Sequence, residues 1–131
     1  MDGGGDNANG TVSIGEPGKP LQEISRSSNC NIGRMYRYAT LLLGMRPADH
    51  EYKLMGLAAY NSEKYGRDAY NVFAETLQVN GLGFNYKKEV KDHFFHFKNQ
   101  LEEHRFDAIA WGIQKRCEEI LTEWISNGIK E

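Results

Sequence analysis

The chain has 131 residues, enough for one domain or a piece of one, and its 40% hydrophobic share suits a packed core rather than wholesale disorder. A formal net charge of -2 lacks the basic excess of a general nucleic-acid binder. No apolar run approaches a membrane span, Ala39 to Leu43 being far too short, and no basic-then-apolar leader opens the chain.

In chain order, Asp2 to Gly10 is rich in glycine and asparagine and is expected to be a loose turn. Thr11 to Ile14 and Leu21 to Ser25 read as two strands of a hairpin around the turn signal Glu16-Pro17-Gly18-Lys19-Pro20. An isolated hairpin is marginal, so its apolar face must meet helices or further sheet. Gly33 to Leu43 reads as a helix with Met35, Ala39 and Leu42 on one side, ended by Gly44 and followed by Pro47. Glu51 to Tyr60 is a shorter helix, Asn61 to Gly66 a loop, and Arg67 to Gln78 a helix with Tyr70, Phe73 and Leu77 at helical spacing. Asn80 to Gly83 is a turn and Phe84 to Tyr86 a short strand; Lys87 to His104 is polar with an aromatic cluster and has no firm assignment. The last helix carries a continuous stripe of Phe106, Ile109, Ala110, Ile113, Cys117, Ile120, Leu121 and Trp124, with Asn127-Gly128 as its stop. These elements predict an α/β or α+β fold in a single unit over residues 1–131. The two cysteines, Cys30 and Cys117, lie far apart and outside any Cys-x-x-Cys pair, which points to a reducing cytoplasm rather than to a disulfide framework or a zinc site.

The most informative segment is Glu51-Tyr52-Lys53-Leu54-Met55-Gly56-Leu57-Ala58-Ala59-Tyr60. Its small residues let a backbone pack closely against something flat, and Glu51 and Lys53 can address polar groups there. A nucleotide fits, and so does a neighbouring helix. A carboxylate can accept from both hydroxyls of a ribose, and an ammonium can face phosphate, whereas the plain alternative is a surface ion pair. In Asp2-Gly3-Gly4-Gly5-Asp6, glycines would allow backbone N–H groups to approach a phosphate, and Asp2 could hold a metal; the alternative is a flexible terminus. His93 and His96 share a helical face without an obvious third metal ligand, and Phe94, Phe95 and Phe97 beside them suggest a core or interface patch. His50 and His104 lie next to charged residues and read as solvated.

Four segments taken together carry a family resemblance: Asp2-Gly3-Gly4-Gly5-Asp6, Gly33-Arg34-Met35-Tyr36, Glu51 to Tyr60, and Asp107-Ala108-Ile109-Ala110 with Gln114. In this order and spacing the chain resembles the O-carbamoyltransferases of the nodulation-protein and cephamycin-carbamoylation type. Asn31-Ile32 stands where that family has Ser-Leu, and Asn61 where it has glycine, although asparagine tolerates the left-handed backbone such a turn needs. The resemblance implies an interior section of an actin-like, ribonuclease-H-like domain within a longer enzyme. It implies ATP and an iron-like divalent metal, with carbamoyl phosphate and a hydroxyl-bearing small molecule as substrates and a carbamoyl-adenylate between them. It puts Gly3, Gly4 and Gly5 at the nucleotide phosphates, Asp2 at the metal, and Glu51 and Lys53 at the nucleotide. It leaves the catalytic residue unassigned, and Gln114 open between a structural and a catalytic hydrogen bond. Two other readings remain: a different actin-like enzyme such as a sugar kinase, or an interaction module using Phe94 to Phe97.

Overall fold

The computed structural model describes residues 7–131. They form a mixed α/β unit of two antiparallel hairpins and five helices: β1 (Gly10–Ile14), β2 (Gln22–Ser27), α1 (Ile32–Leu42), α2 (Glu51–Ala58), α3 (Glu63–Ala74), β3 (Leu77–Asn80), β4 (Gly83–Tyr86), α4 (His93–Leu101) and α5 (Phe106–Ile129). No described helix is long and apolar enough to cross a membrane.

The first hairpin forms as its turn residues dictate. Lys19 N donates to Glu16 O at 3.0 Å, and Gly18 sits at φ 76°, the left-handed position that a type II turn places after proline. A bulge between Val12 and Ser13 breaks the register. The end of the glycine-rich opening is less loose than its composition suggests. Asn9 is buried, its Nδ2 donates to Ser28 O at 3.0 Å, and its Oδ1 accepts from Cys30 N at 2.9 Å. This side chain ties the start of β1 to the segment leading into α1.

α5 is the spine on which α2 and α3 lie, while α1 and α4 close the core. Met35 and Ala39 of α1 are fully buried, and Leu42 packs at the margin, as the helical spacing requires. Gly44 follows with φ 70° and stops that helix. α3 begins at Glu63 rather than Arg67, so residues 63–66 are helix and not loop. Gly66 is helical because the Trp111 ring occupies the space of its missing side chain; a Cβ there would lie 2.3 Å from Cε3. At the next residue of α5, a Cβ on Gly112 would lie 2.7 Å from the Tyr70 backbone N. These two absences let α3 and α5 approach closely.

Leu77 is fully buried but begins a strand, not the last turn of a helix. Thr76 ends α3 by donating its hydroxyl to Phe73 O at 2.7 Å, and Arg116 of α5 donates to Leu77 O. Leu77 to Tyr86 is therefore a second hairpin, turned at Gly81 with φ 60°. α5 holds that turn: Trp124 Nε1 donates to Leu82 O at 2.8 Å, and Asn127 Nδ2 donates to Gly81 O at 2.9 Å. Asn127 thus serves a tertiary contact instead of ending its helix, which continues to Ile129. The stripe of α5 is buried at Ile109, Ala110, Ile113, Ile120 and Trp124 and half-buried at Cys117 and Leu121, whereas Phe106 is exposed. The unassigned stretch contains α4, started by Asp92, whose Oδ1 accepts from Phe95 N at 3.0 Å, and anchored by buried Phe97 and Leu101. Of the aromatic cluster, Phe97 stacks at 5.1 Å on Phe73, Phe94 meets Tyr38 at 6.0 Å, and Phe95 is exposed.

Gly112→Ala should destabilise the fold by about 1–3 kcal/mol, because backbone atoms of α3 cannot yield as a side-chain tip can. Gly56→Ala on α2 should instead stabilise it by about 1 kcal/mol, since no atom lies within 4 Å of the added methyl. Urea denaturation of the two variants would check both signs.

Candidate functional site

Asp2, Gly3, Gly4 and Gly5 lie outside the described residues. Glu51 and Lys53 open α2, and the helix separates them: residues two apart point ~200° apart around the axis. The half-buried Glu51 turns back and accepts at Oε1 from Ala48 N at 2.7 Å, supporting a loop in which Ala48 holds φ 69°. Lys53 is exposed, with its Nζ 5.8 Å from the centre of the Tyr52 ring. The two form no ion pair with each other, and they do not present one polar face.

The rest of the Glu51–Tyr60 segment does meet other motif residues. Leu54 and Ala58 of α2 face the core, while Met55 and Ala59 face a cleft against α5. The cleft encloses about 400 Å³. Met55, Ala58, Ala59 and Trp111 make its apolar wall; Asn61, Gln114, Lys115 and Glu118 make its polar rim. Gly56 has open space above it and remains exposed. Gly56 and Ala59 thus leave room at the surface, while Ala58 is buried where α2 lies on α5.

Gln114 is the hub of the rim. Tyr36 Oη donates to Gln114 Oε1 at 2.8 Å, and Gln114 Nε2 donates to Glu118 Oε1 at 2.8 Å. A carboxylate only accepts, so Glu118 decides which end of the amide faces it, and Tyr36 must then act as donor. Burial pushes the Tyr36 phenol well above its ordinary range, reinforced by Cys117, Glu118 and Glu51. The phenol therefore stays protonated and keeps its donor role.

Asn61 does not adopt the left-handed backbone that a glycine substitute invites; among the described non-glycine residues only Asn7 and Ala48 have positive φ. Its Oδ1 accepts from Ser62 N at 2.6 Å, a local bond at the entry to α3, and its Nδ2 is left as a donor. Glu118, Lys115 and Trp111 were not singled out by sequence pattern. The available signal was the i,i+4 spacing of Gln114 and Glu118 on a helix already assigned.

No group of three His, Cys, Asp or Glu residues that could hold a metal occurs among the described residues. His93 and His96 flank Phe97, with ring centres 6.1 and 5.6 Å away, and both Nε2 atoms are buried without a partner. Burial lowers both pKa values. The neighbouring His96 adds to the effect at His93, and Lys88 adds to it at His96, while Asp92 and Glu75 respectively oppose it. His50 Nδ1 accepts from Arg46 N at 3.1 Å, and half-buried His104 leaves Nδ1 buried without a partner, so neither is simply solvated. Cys30 is fully buried and Cys117 half-buried; both are free thiols, and burial pushes the Cys30 thiol up to about 11.

Compared with known proteins, the chain is 37% identical over 83 residues to nodulation protein NolNO of Sinorhizobium fredii (strain NBRC 101917 / NGR234). The match takes in 62% of this chain and 12% of the length of NolNO. No protein-family model matches the chain. The resemblance to the nodulation type of O-carbamoyltransferase stands.

Glu51→Ala removes the acceptor for Ala48 N and should destabilise the chain by ~1 kcal/mol without unfolding it, as thermal melts would show. The histidines give a second expectation. Their folded pKa values lie below the ordinary 6.5. Below that pH the unfolded chain takes up protons that the fold resists, so stability is full above about pH 6.5 and falls as pH drops through it. Replacing both His93 and His96 by phenylalanine should flatten the fall in urea-derived stability between about pH 7 and 5.

Proposed function

We propose that this chain is a section of the actin-like catalytic domain of an ATP-dependent O-carbamoyltransferase. That enzyme would convert carbamoyl phosphate and ATP to a carbamoyl-adenylate, releasing phosphate and pyrophosphate, and pass the carbamoyl group to a hydroxyl of a small molecule, releasing AMP. The observation that carries the reading is the convergence of Tyr36, the Met55–Ala59 run and Gln114. They come from three motif segments far apart in sequence: Met55, Ala58, Ala59 and Gln114 line one cleft, and Tyr36 is tied to it through its hydrogen bond to Gln114. The similarity to NolNO supports it.

In this reading the chain supplies positioning. α5 holds Gln114 against Tyr36, so the amide presents fixed donors at a site whose reacting partners come from elsewhere in the enzyme. Glu51 keeps one carboxylate oxygen for a ribose hydroxyl, and Lys53 offers an exposed cation to phosphate; a nucleotide meeting both would have to wrap the N-terminus of α2. Asp2 and Gly3 to Gly5 are proposed for the metal and the phosphates. No group of three metal-ligating side chains occurs among the described residues, and no step is drawn through a metal.

The test is release of AMP and pyrophosphate by the full-length protein carrying this sequence, supplied with ATP, carbamoyl phosphate and a divalent metal. The reading expects release that depends on carbamoyl phosphate. It also expects Gln114→Leu to lower kcat/KM by about tenfold or more, the loss of one preorganised donor. No release by folded, metal-loaded protein would overturn it.

A further inference from the structure

The rim of the α2–α5 cleft holds hydrogen-bonding groups that the fold itself leaves unused. Glu118 spends Oε1 on Gln114, and Oε2 has no partner among the described residues. Gln114 spends one N–H on Glu118, and its amide has a second. Asn61 spends Oδ1 on Ser62 and keeps both Nδ2 hydrogens. The rim therefore offers one anionic acceptor and two amide donors, beside a Lys115 ammonium held toward Glu119, over an apolar wall containing Met55, Ala58, Ala59 and Trp111.

This array discriminates among ligand classes. A phosphate or carboxylate would face the Glu118 charge, and the Lys115 ammonium of the same rim is already paired with Glu119 at 3.8 Å. A hydrocarbon would leave the donors and the acceptor unmatched when water is displaced. A planar –C(=O)–NH2 group matches: its N–H donates to Glu118 Oε2, and its carbonyl oxygen accepts from Gln114 or Asn61. We propose that the α2–α5 cleft binds the terminal carbamoyl group of a carbamoylated ligand between Glu118 and Gln114, with the body of the ligand on the apolar wall. The choice of carbamoyl over other primary amides rests on the carbamoyltransferase reading; the location and the residues rest on the cleft. Tyr36 is here a positioning residue, because its hydroxyl fixes the orientation of the Gln114 amide.

The probe is ethyl carbamate, titrated into the ¹⁵N-labelled chain and compared with ethyl N,N-dimethylcarbamate and ethyl acetate. Side-chain amide signals of Gln114 and Asn61 and the indole N–H of Trp111 report on the cleft. The expected result is saturable shifts of these signals with ethyl carbamate and little response to the two compounds lacking N–H. Glu118→Gln should weaken binding by about tenfold, the effect of removing one charge-assisted hydrogen bond, with the backbone spectrum unchanged. If that variant disturbs the fold, Asn61→Ala serves in its place with the same expectation. Equal shifts with all three compounds, no saturable shift, or unchanged affinity in the variants overturns the proposal. AMP release left unchanged by Glu118→Gln also overturns the cleft while sparing the wider reading. Selective carbamate binding without any turnover by the full-length protein supports the cleft and overturns the wider reading.

Discussion

The close approach of α3 to α5 is the constraint on which the rest of the structure depends. Gly66 and Gly112 each lack a side chain where the opposing helix needs the space: the Trp111 ring fills one gap, and the backbone at Ala69 and Tyr70 fills the other. With Trp111 held against Gly66 and its edge toward Tyr70 at 6.3 Å, one wall of the α2–α5 cleft is built from the same contact. Gln114 lies one turn further along α5, so a shift between the helices would move it relative to Tyr36. The close packing at Gly66 and Gly112 and the geometry of the candidate site are thus one feature.

The polar part of that site depends on a chain of donors and acceptors with a single consistent polarity. Glu118 can only accept, Gln114 must turn its nitrogen toward it, and Tyr36 must give its proton to the remaining oxygen. Burial keeps the tyrosine neutral, so the chain holds across the ordinary pH range. The three side chains link α1 to successive turns of α5, and the cleft opens beside them toward α2. Hydrogen bonds of this kind add modest net stability; their larger effect is to select one orientation of an amide that otherwise has two.

Most elements were legible because short-range patterns specify them. The Pro17-Gly18 turn, the Met35–Ala39 face of α1, the stop at Gly44 and the long stripe of α5 all follow from local spacing. The misreadings share one cause. Gly66, Leu77 and Asn127 carry local signals for loop, helix and stop, yet each obeys a partner distant in sequence: Trp111, Arg116 and the Gly81 carbonyl respectively. Glu51 and Lys53 looked like a pair in sequence, but a helix turns neighbours two apart away from each other.

The sequence by itself determined the segments: where helices and hairpins run, which residues are too small to shield a surface, and that four short motifs resemble those of nodulation-type carbamoyltransferases. Those properties depend on backbone preference and on residue spacing of 2 or 3.6, which act over a few residues. Only the tertiary structure decided that Met55, Asn61, Gln114 and Glu118 surround one cleft, that Tyr36 holds Gln114 there, and that Glu51 supports the Ala48 loop. That outcome depends on how closely α2 and α3 seat on α5, which the side chains missing at Gly66 and Gly112 set through contacts between residues some 40 positions apart, as Gly66 and Trp111 are.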